Sequence, residues 1–82
     1  MTRTEVIEKL QEIFVDLLDD PSFTLTEDTS PDTVEEWDSL LHITLMASIE
    51  AEFGIHFATE KIAETKSGKA LVDAVMEELG KK

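Results

Sequence analysis

The sequence predicts an all-α fold: a small bundle of three main helices, one short helix before the last, and a long loop between helices 1 and 2. Apolar residues recur at helical spacing in three long stretches, and a side chain suited to capping stands before each of them. No stretch shows the strict apolar–polar alternation of a half-buried strand. The chain has 82 residues, so we expect a single domain over residues 1–82.

The first helix is predicted to begin at Thr2 or Thr4, and Thr2 followed by Glu5 matches a capping box. Its apolar residues repeat along one face and are Val6, Ile7, Leu10, Ile13, Phe14, Leu17 and Leu18. We expect it to end at the Asp19-Asp20-Pro21 segment, because proline cannot continue the hydrogen-bond ladder of a helix.

Residues 21–37 are rich in Thr, Ser, Asp and Pro and show no sustained period, which predicts an ordered loop with one turn of helix. Four apolar residues are spaced as anchors that pin it to the helices: Phe23, Leu25, Val34 and Trp37. The acidic residues of this loop do not follow the ligand spacing of a calcium loop, so we predict no structural metal site.

The second helix is predicted from Ser39 to Phe53, after Asp38-Ser39 as a helix start and before Gly54 as a stop. It is apolar well beyond one stripe, so it is either surrounded by its own protein or keeps one side for a partner. Thr59 is then expected to cap a short helix over residues 60–64, and Thr65 or Ser67 the last helix.

The charge balance, 19 acidic against 7 basic residues, excludes nucleic acid and anionic membrane surfaces as expected partners. No apolar run approaches the roughly 20 residues of a membrane span, and no secretory signal pattern follows Met1, so we expect a cytoplasmic protein. The chain contains no cysteine, so any thioester chemistry needs a sulfur from outside.

Three segments of the chain resemble the acyl carrier protein family: Asp38-Ser39-Leu40 at a helix start, residues 50–55 at the end of that helix, and residues 66–72 at the entry to the last helix. The resemblance covers residues 4–79. It implies that Ser39 carries a covalent 4'-phosphopantetheine arm and that Asp38 supports attachment by a phosphopantetheinyl transferase. Trp37, two residues before the serine, makes the chain resemble stand-alone carriers of specialised pathways. The resemblance implies a role in fatty-acid, polyketide or other specialised biosynthesis.

The resemblance also implies a partner-binding surface around the second helix, for acyl-loading and acyl-processing enzymes with basic patches. We expect this surface to comprise Glu35, Glu36, Leu40, Leu41, Thr44, Ala47, Glu50 and Glu52. Leu41 and Thr44 stand where fatty-acid carriers usually have acids. The expected contacts of the acyl chain are Leu45, Ile49, Ile62 and Val72.

The sequence also admits other interpretations. His42 lies three residues after Ser39 on the same helix face, which makes it a candidate base. No oxyanion-hole pattern accompanies the serine, so we predict that the chain is not an enzyme. We expect His42 and His56 to lie at the surface or its boundary. The alternatives to an acyl carrier are an acidic helical adaptor without a prosthetic group and an aminoacyl or peptidyl carrier. We expect a monomer.

Overall fold

A computed structural model describes residues 1–81 and contains four helices within that range. They are α1 (Arg3–Leu18), α2 (Ser39–Phe53), α3 (Thr59–Glu64) and α4 (Gly68–Gly80). The described residues form no strand, and a long loop joins α1 to α2, so the predicted all-α fold is confirmed. None of these helices has the length and apolar character needed to cross a membrane.

The local signals at the ends of α1 and α2 act as predicted. At the start of α1 the Glu5 amide donates to Thr2 Oγ1 (3.2 Å) and the Thr2 amide donates to Glu5 Oε1 (2.9 Å), which completes the capping box. Asp19 ends α1 in the left-handed conformation, with φ of 53°. Gly54 ends α2 in the same region, with φ of 65°, where glycine carries no Cβ penalty.

Two capping residues of the shorter helices differ from expectation. Thr59 is the first residue of α3, and its N-cap is Ala58, which makes no capping hydrogen bond, so the predicted threonine cap is wrong. Ser67 caps α4 by accepting a hydrogen bond from the Ala70 amide (3.1 Å). The alternative cap, Thr65, is buried and donates to the carbonyl of Ile62 (3.0 Å).

The core lies where α1 packs against both α2 and α4. Its largest fully buried apolar side chains come from the three long helices and from the segment after α2: Phe14, Phe57, Leu10, Leu45, Met46, Ile49, Leu71, Val6, Val72 and Val75. Burying each such side chain contributes roughly 1.5–3 kcal/mol before the entropy cost of folding is counted. The core therefore fixes α2 against α1 and leaves one side of α2 to solvent.

Aromatic side chains anchor the long loop to α1. The ring of Phe14 stacks on Phe23, with centroids 5.2 Å apart, and meets the edge of Trp37 at 5.3 Å. Leu25 and Val34 are buried beside them. The loop holds hydrogen-bonded turns, including one from the Val34 amide to the Ser30 carbonyl (2.9 Å), but no helix, so the turn of helix predicted within it is wrong.

The loop is also tied to the start of α4. The Gly68 amide donates to the Thr29 carbonyl (2.7 Å), and the Lys69 amide donates to the Glu27 carbonyl (3.1 Å). Arg3 bridges the same region, with its guanidinium 2.6 Å from a Glu27 oxygen and 2.8 Å from an Asp73 oxygen. Three parts of the chain that are distant in sequence therefore meet at this point.

The Arg3 pairs predict a pH-dependent contribution to stability. The hydrogen bond from Arg3 lowers the pKa of the Asp73 carboxyl below its ordinary value of 3.8. A lowered carboxyl pKa stabilises the fold above that ordinary value, and the contribution is lost as the pH falls through the folded-state pKa. We expect Arg3→Gln to lower the melting temperature slightly at pH 7 and to have no effect at pH values low enough to protonate the folded Asp73 carboxyl.

The control for this comparison is Lys66→Gln, which removes the same charge from a side chain that makes no ion pair with a described residue. Thermal melts of both variants from pH 7 to about pH 2, well below the ordinary carboxyl pKa, measure the difference. Equal pH profiles for the two variants would show that net charge, rather than the Arg3 pairs, sets the effect.

Candidate functional site

Ser39 is the first residue of α2 and is exposed, and its hydroxyl makes no hydrogen bond with any described residue. Three of the other serines use their side-chain oxygens to hold turns or caps: Ser22, Ser30 and Ser67. Ser48 lies within α2 and is half-buried. Ser39 is therefore the exposed serine whose hydroxyl is free for chemistry.

Asp38, not Ser39, caps α2. Its Oδ1 accepts a hydrogen bond from the Leu41 amide (2.8 Å), which satisfies one of the free N–H groups of the first turn. The carboxylate is exposed and stands beside the serine. The fold of α2 thus requires nothing from the Ser39 hydroxyl.

His42 is buried, with 4% of its surface exposed, so its expected place at the surface or boundary is wrong. Trp37 Nε1 donates to His42 Nδ1 (3.0 Å), because an indole N–H is a donor only. The proton of the imidazole is then on Nε2, which donates to the Ile62 carbonyl (2.7 Å). Both ring nitrogens are occupied, so His42 serves as a structural link between the loop, α2 and α3 rather than as a base for Ser39. His56 is exposed, as expected, and its Nδ1 lies 3.1 Å from a Glu50 oxygen.

The burial of His42 gives a stability prediction. His42→Phe keeps a ring but leaves the buried Trp37 N–H without its acceptor, at a cost of about 1–3 kcal/mol. Urea unfolding measures the loss, and His56→Phe at an exposed position is the matched control. In a Trp37→Phe background the cost of His42→Phe should shrink, and an unchanged cost would contradict the link.

A cavity of about 180 Å³ adjoins Ser39. Three segments supply its lining: the long loop, the start of α2, and the connection from α3 to α4. The lining residues are Pro31, Trp37, Asp38, Ser39, His42 and Lys66. Ser39 therefore borders a concave surface that combines aromatic rings, a carboxylate and a lysine.

The exposed side of α2 is uncharged along most of its length. Leu40 is 74% exposed and Ile43 is 64% exposed, and Thr44 and Ala47 lie on the same side. Sequence reasoning missed Ile43, although its spacing of three residues after Leu40 and four before Ala47 marks one helical face. Leu41, predicted for this surface, is only half-exposed and packs against the core.

Of the four glutamates predicted to bind partners, three are exposed and one is half-buried. Glu35 and Glu36 are exposed before α2. Glu52 is exposed and pairs with Lys9 (3.3 Å). Glu50 is half-buried and its Oε2 accepts a hydrogen bond from the Phe57 amide (2.8 Å), so this carboxylate holds the turn after α2.

The expected acyl-chain contacts lie together on the inner side of the bundle. Leu45, Ile49 and Val72 are buried core residues, and Ile62 is half-buried against the same core. An acyl chain can reach the first three only if side chains move apart. Among residues 1–81 no group of three or more His, Cys, Asp or Glu side chains is arranged to hold a metal ion.

Comparison with known proteins identifies relatives of this chain and solved structures with the same fold. An acyl carrier protein of Petrotoga mobilis is 33% identical over 79 residues, covering 96% of this chain and 93% of that protein. The solution structure of a holo acyl carrier protein of Geobacter metallireducens has a TM-score of 0.85 at 34% identity, over 93% of this chain and 87% of that one. No family model matches the chain.

A crystal structure of an acyl carrier protein of Thermotoga maritima also superposes, with a TM-score of 0.83 and 26% identity over 96% of this chain and 92% of that one. The fold is thus that of a small helical carrier domain, with a free serine at the head of its second helix. The chain belongs to the acyl carrier protein family.

Proposed function

We propose that this protein carries acyl groups as thioesters on a 4'-phosphopantetheine arm joined to Ser39, and that it is not itself an enzyme. The observation that supports this most is the free, exposed hydroxyl of Ser39 at a helix start that Asp38 already caps. The group fits this position, because a phosphodiester there lies at the positive end of the α2 dipole. The arm supplies the thiol that a chain without cysteine lacks.

The test is the intact mass of the protein after incubation with coenzyme A and a phosphopantetheinyl transferase. Attachment forms a bond from Ser39 Oγ to the phosphorus next to the pantetheine, releases adenosine 3',5'-bisphosphate and adds one phosphopantetheine. Peptide fragmentation should place the group on Ser39. No gain with several transferases would favour an acidic adaptor, for which exposed Leu40 and Ile43 would be the binding surface.

Asp38 has two roles in this proposal, and they are separable. Asp38→Ser keeps a good N-cap, so the melting temperature should change little, but it removes the carboxylate that supports the transferase. We expect this variant to be loaded more slowly than the wild type in a timed mass assay. Loading at the wild-type rate would limit Asp38 to its capping role.

Partner enzymes are proposed to meet the exposed side of α2. Its apolar stripe, Leu40, Ile43 and Ala47, suits an apolar patch on the partner, and the exposed carboxylates of Glu35, Glu36 and Glu52 suit a basic rim. Thr44 lies within the stripe and Leu41 at its inner edge. Such a mixed surface favours a partner dedicated to this carrier. We further propose that the carrier acts in the cytoplasm as a monomer.

Apolar cargo is proposed to enter between α2 and α3, against Leu45, Ile49, Ile62 and Val72. Sheltering a chain gains roughly 0.8 kcal/mol per buried methylene, less the cost of moving a close-packed core. Amide chemical shifts of Ile49, Ile62 and Val72 should change with a long apolar acyl group and not with a short polar one. Changes restricted to the surroundings of Ser39 for every cargo would rule out sequestration.

A further inference from the structure

Lys66 differs from the other described cations of this chain. Each of the other lysine and arginine side chains among residues 1–81 pairs with at least one carboxylate: Arg3, Lys9, Lys61, Lys69 and Lys81. Lys66 makes no ion pair with any described residue, although the chain carries 19 acidic residues. Its charge is therefore not paired with any carboxylate of residues 1–81.

The position of Lys66 suggests what its charge is for. It lines the cavity of about 180 Å³ beside Ser39, together with Trp37 and His42. Its backbone is fixed on both sides, since Thr65 before it is buried and Ser67 after it caps α4. An exposed lysine elsewhere would be an ordinary solubilising residue, but this one shares a concave surface with the serine proposed to receive a phosphodiester.

We propose that Lys66 is a positioning residue that binds the phosphodiester of an arm attached to Ser39, and that the cavity walls of Pro31, Trp37 and His42 hold the adjoining part of the arm. The inference rests on the proposed function. A compact ammonium group on a flexible stem suits a single phosphate charge approached from several directions. Asp38, the other charged residue of the cavity, disfavours an anion there, so an unpaired cation is needed to offset it.

The experiment compares phosphorus-31 and proton–nitrogen-15 spectra of the holo protein in wild type, Lys66→Gln and Lys69→Gln. Lys69→Gln is the matched control, because it removes one exposed charge three residues away from a side chain paired with Asp73. In Lys66→Gln we expect the phosphorus line to narrow and move towards that of a free phosphodiester. The shift of the Trp37 indole signal between apo and holo forms should be lost. Lys69→Gln should resemble the wild type.

Two further measurements separate binding from structural effects. Lys66→Arg should restore the wild-type phosphorus signal, and 1 M salt should reproduce the Lys66→Gln signal in the wild type, because screening at that concentration acts within about 3 Å. Equal signals in the wild type and Lys66→Gln, or equal changes in Lys66→Gln and Lys69→Gln, would overturn the role of Lys66. Failure of the wild type to load with any transferase would instead overturn the proposed function.

Discussion

Ser39→Ala is expected to abolish loading completely while leaving the fold intact. The substitution removes the one atom that can form the phosphodiester bond, so no partial activity should remain. It removes no cap, because the Leu41 amide is bound by Asp38. Alanine also has a higher helix propensity than serine, so the melting temperature should stay level or rise slightly.

Intact mass after transferase treatment measures the loss, and a thermal melt checks the fold. Ser67→Ala and Ser48→Ala serve as controls that should load like the wild type, although Ser67→Ala should cost stability through its lost cap. A phosphopantetheine gain on Ser39→Ala would place the attachment at another residue.

Gly68→Ala is expected to have the largest effect on stability. A Cβ at this position would lie only 1.9 Å from the Thr26 carbonyl oxygen, which belongs to the backbone and cannot rotate away. The loop must then retreat from α4, which breaks the hydrogen bond from Gly68 to the Thr29 carbonyl. Overpacking of this kind costs about 1–3 kcal/mol, and the lost hydrogen bond adds to it.

Urea unfolding measures this effect, and Gly80→Ala is its matched control. An added Cβ at Gly80 meets nothing within 4 Å, so the same substitution there should be neutral or stabilising. For a domain of this size a loss of about 2 kcal/mol lowers the melting temperature by roughly 8–16 °C. Equal stability of the two variants would show that the contact between the loop and α4 is easily rearranged.

The parts of the fold that depend on local signals were predicted well from the sequence. The capping box at Thr2 and the stop at Gly54 need only neighbouring residues, and the apolar period of each long helix identifies its buried face. Ser39 at the head of α2 was found in the same way, through a helix start and a family motif.

Features that depend on distant partners were not predictable in this way. The acceptor of His42 Nε2 is the Ile62 carbonyl, twenty residues away in sequence, so no local pattern distinguishes this histidine from a surface one. The close approach of Gly68 to Thr26 likewise requires the loop and α4 to be in place. The pairing of several cations also depends on carboxylates that are distant in sequence, such as Asp73 for Arg3, so no local pattern marks Lys66 as unpaired among the described residues.

Trp37 is an intrinsic fluorophore beside Ser39. It is the single tryptophan, the chain has no tyrosine, and the indole is stacked on His42 with ring centroids 5.9 Å apart. Fluorescence excited at the long-wavelength edge of the protein's ultraviolet absorption band therefore comes from the Trp37 indole, which lines the Ser39 cavity. We expect attachment of the proposed arm at Ser39 to change this emission, so loading should be measurable by fluorescence in real time without a dye.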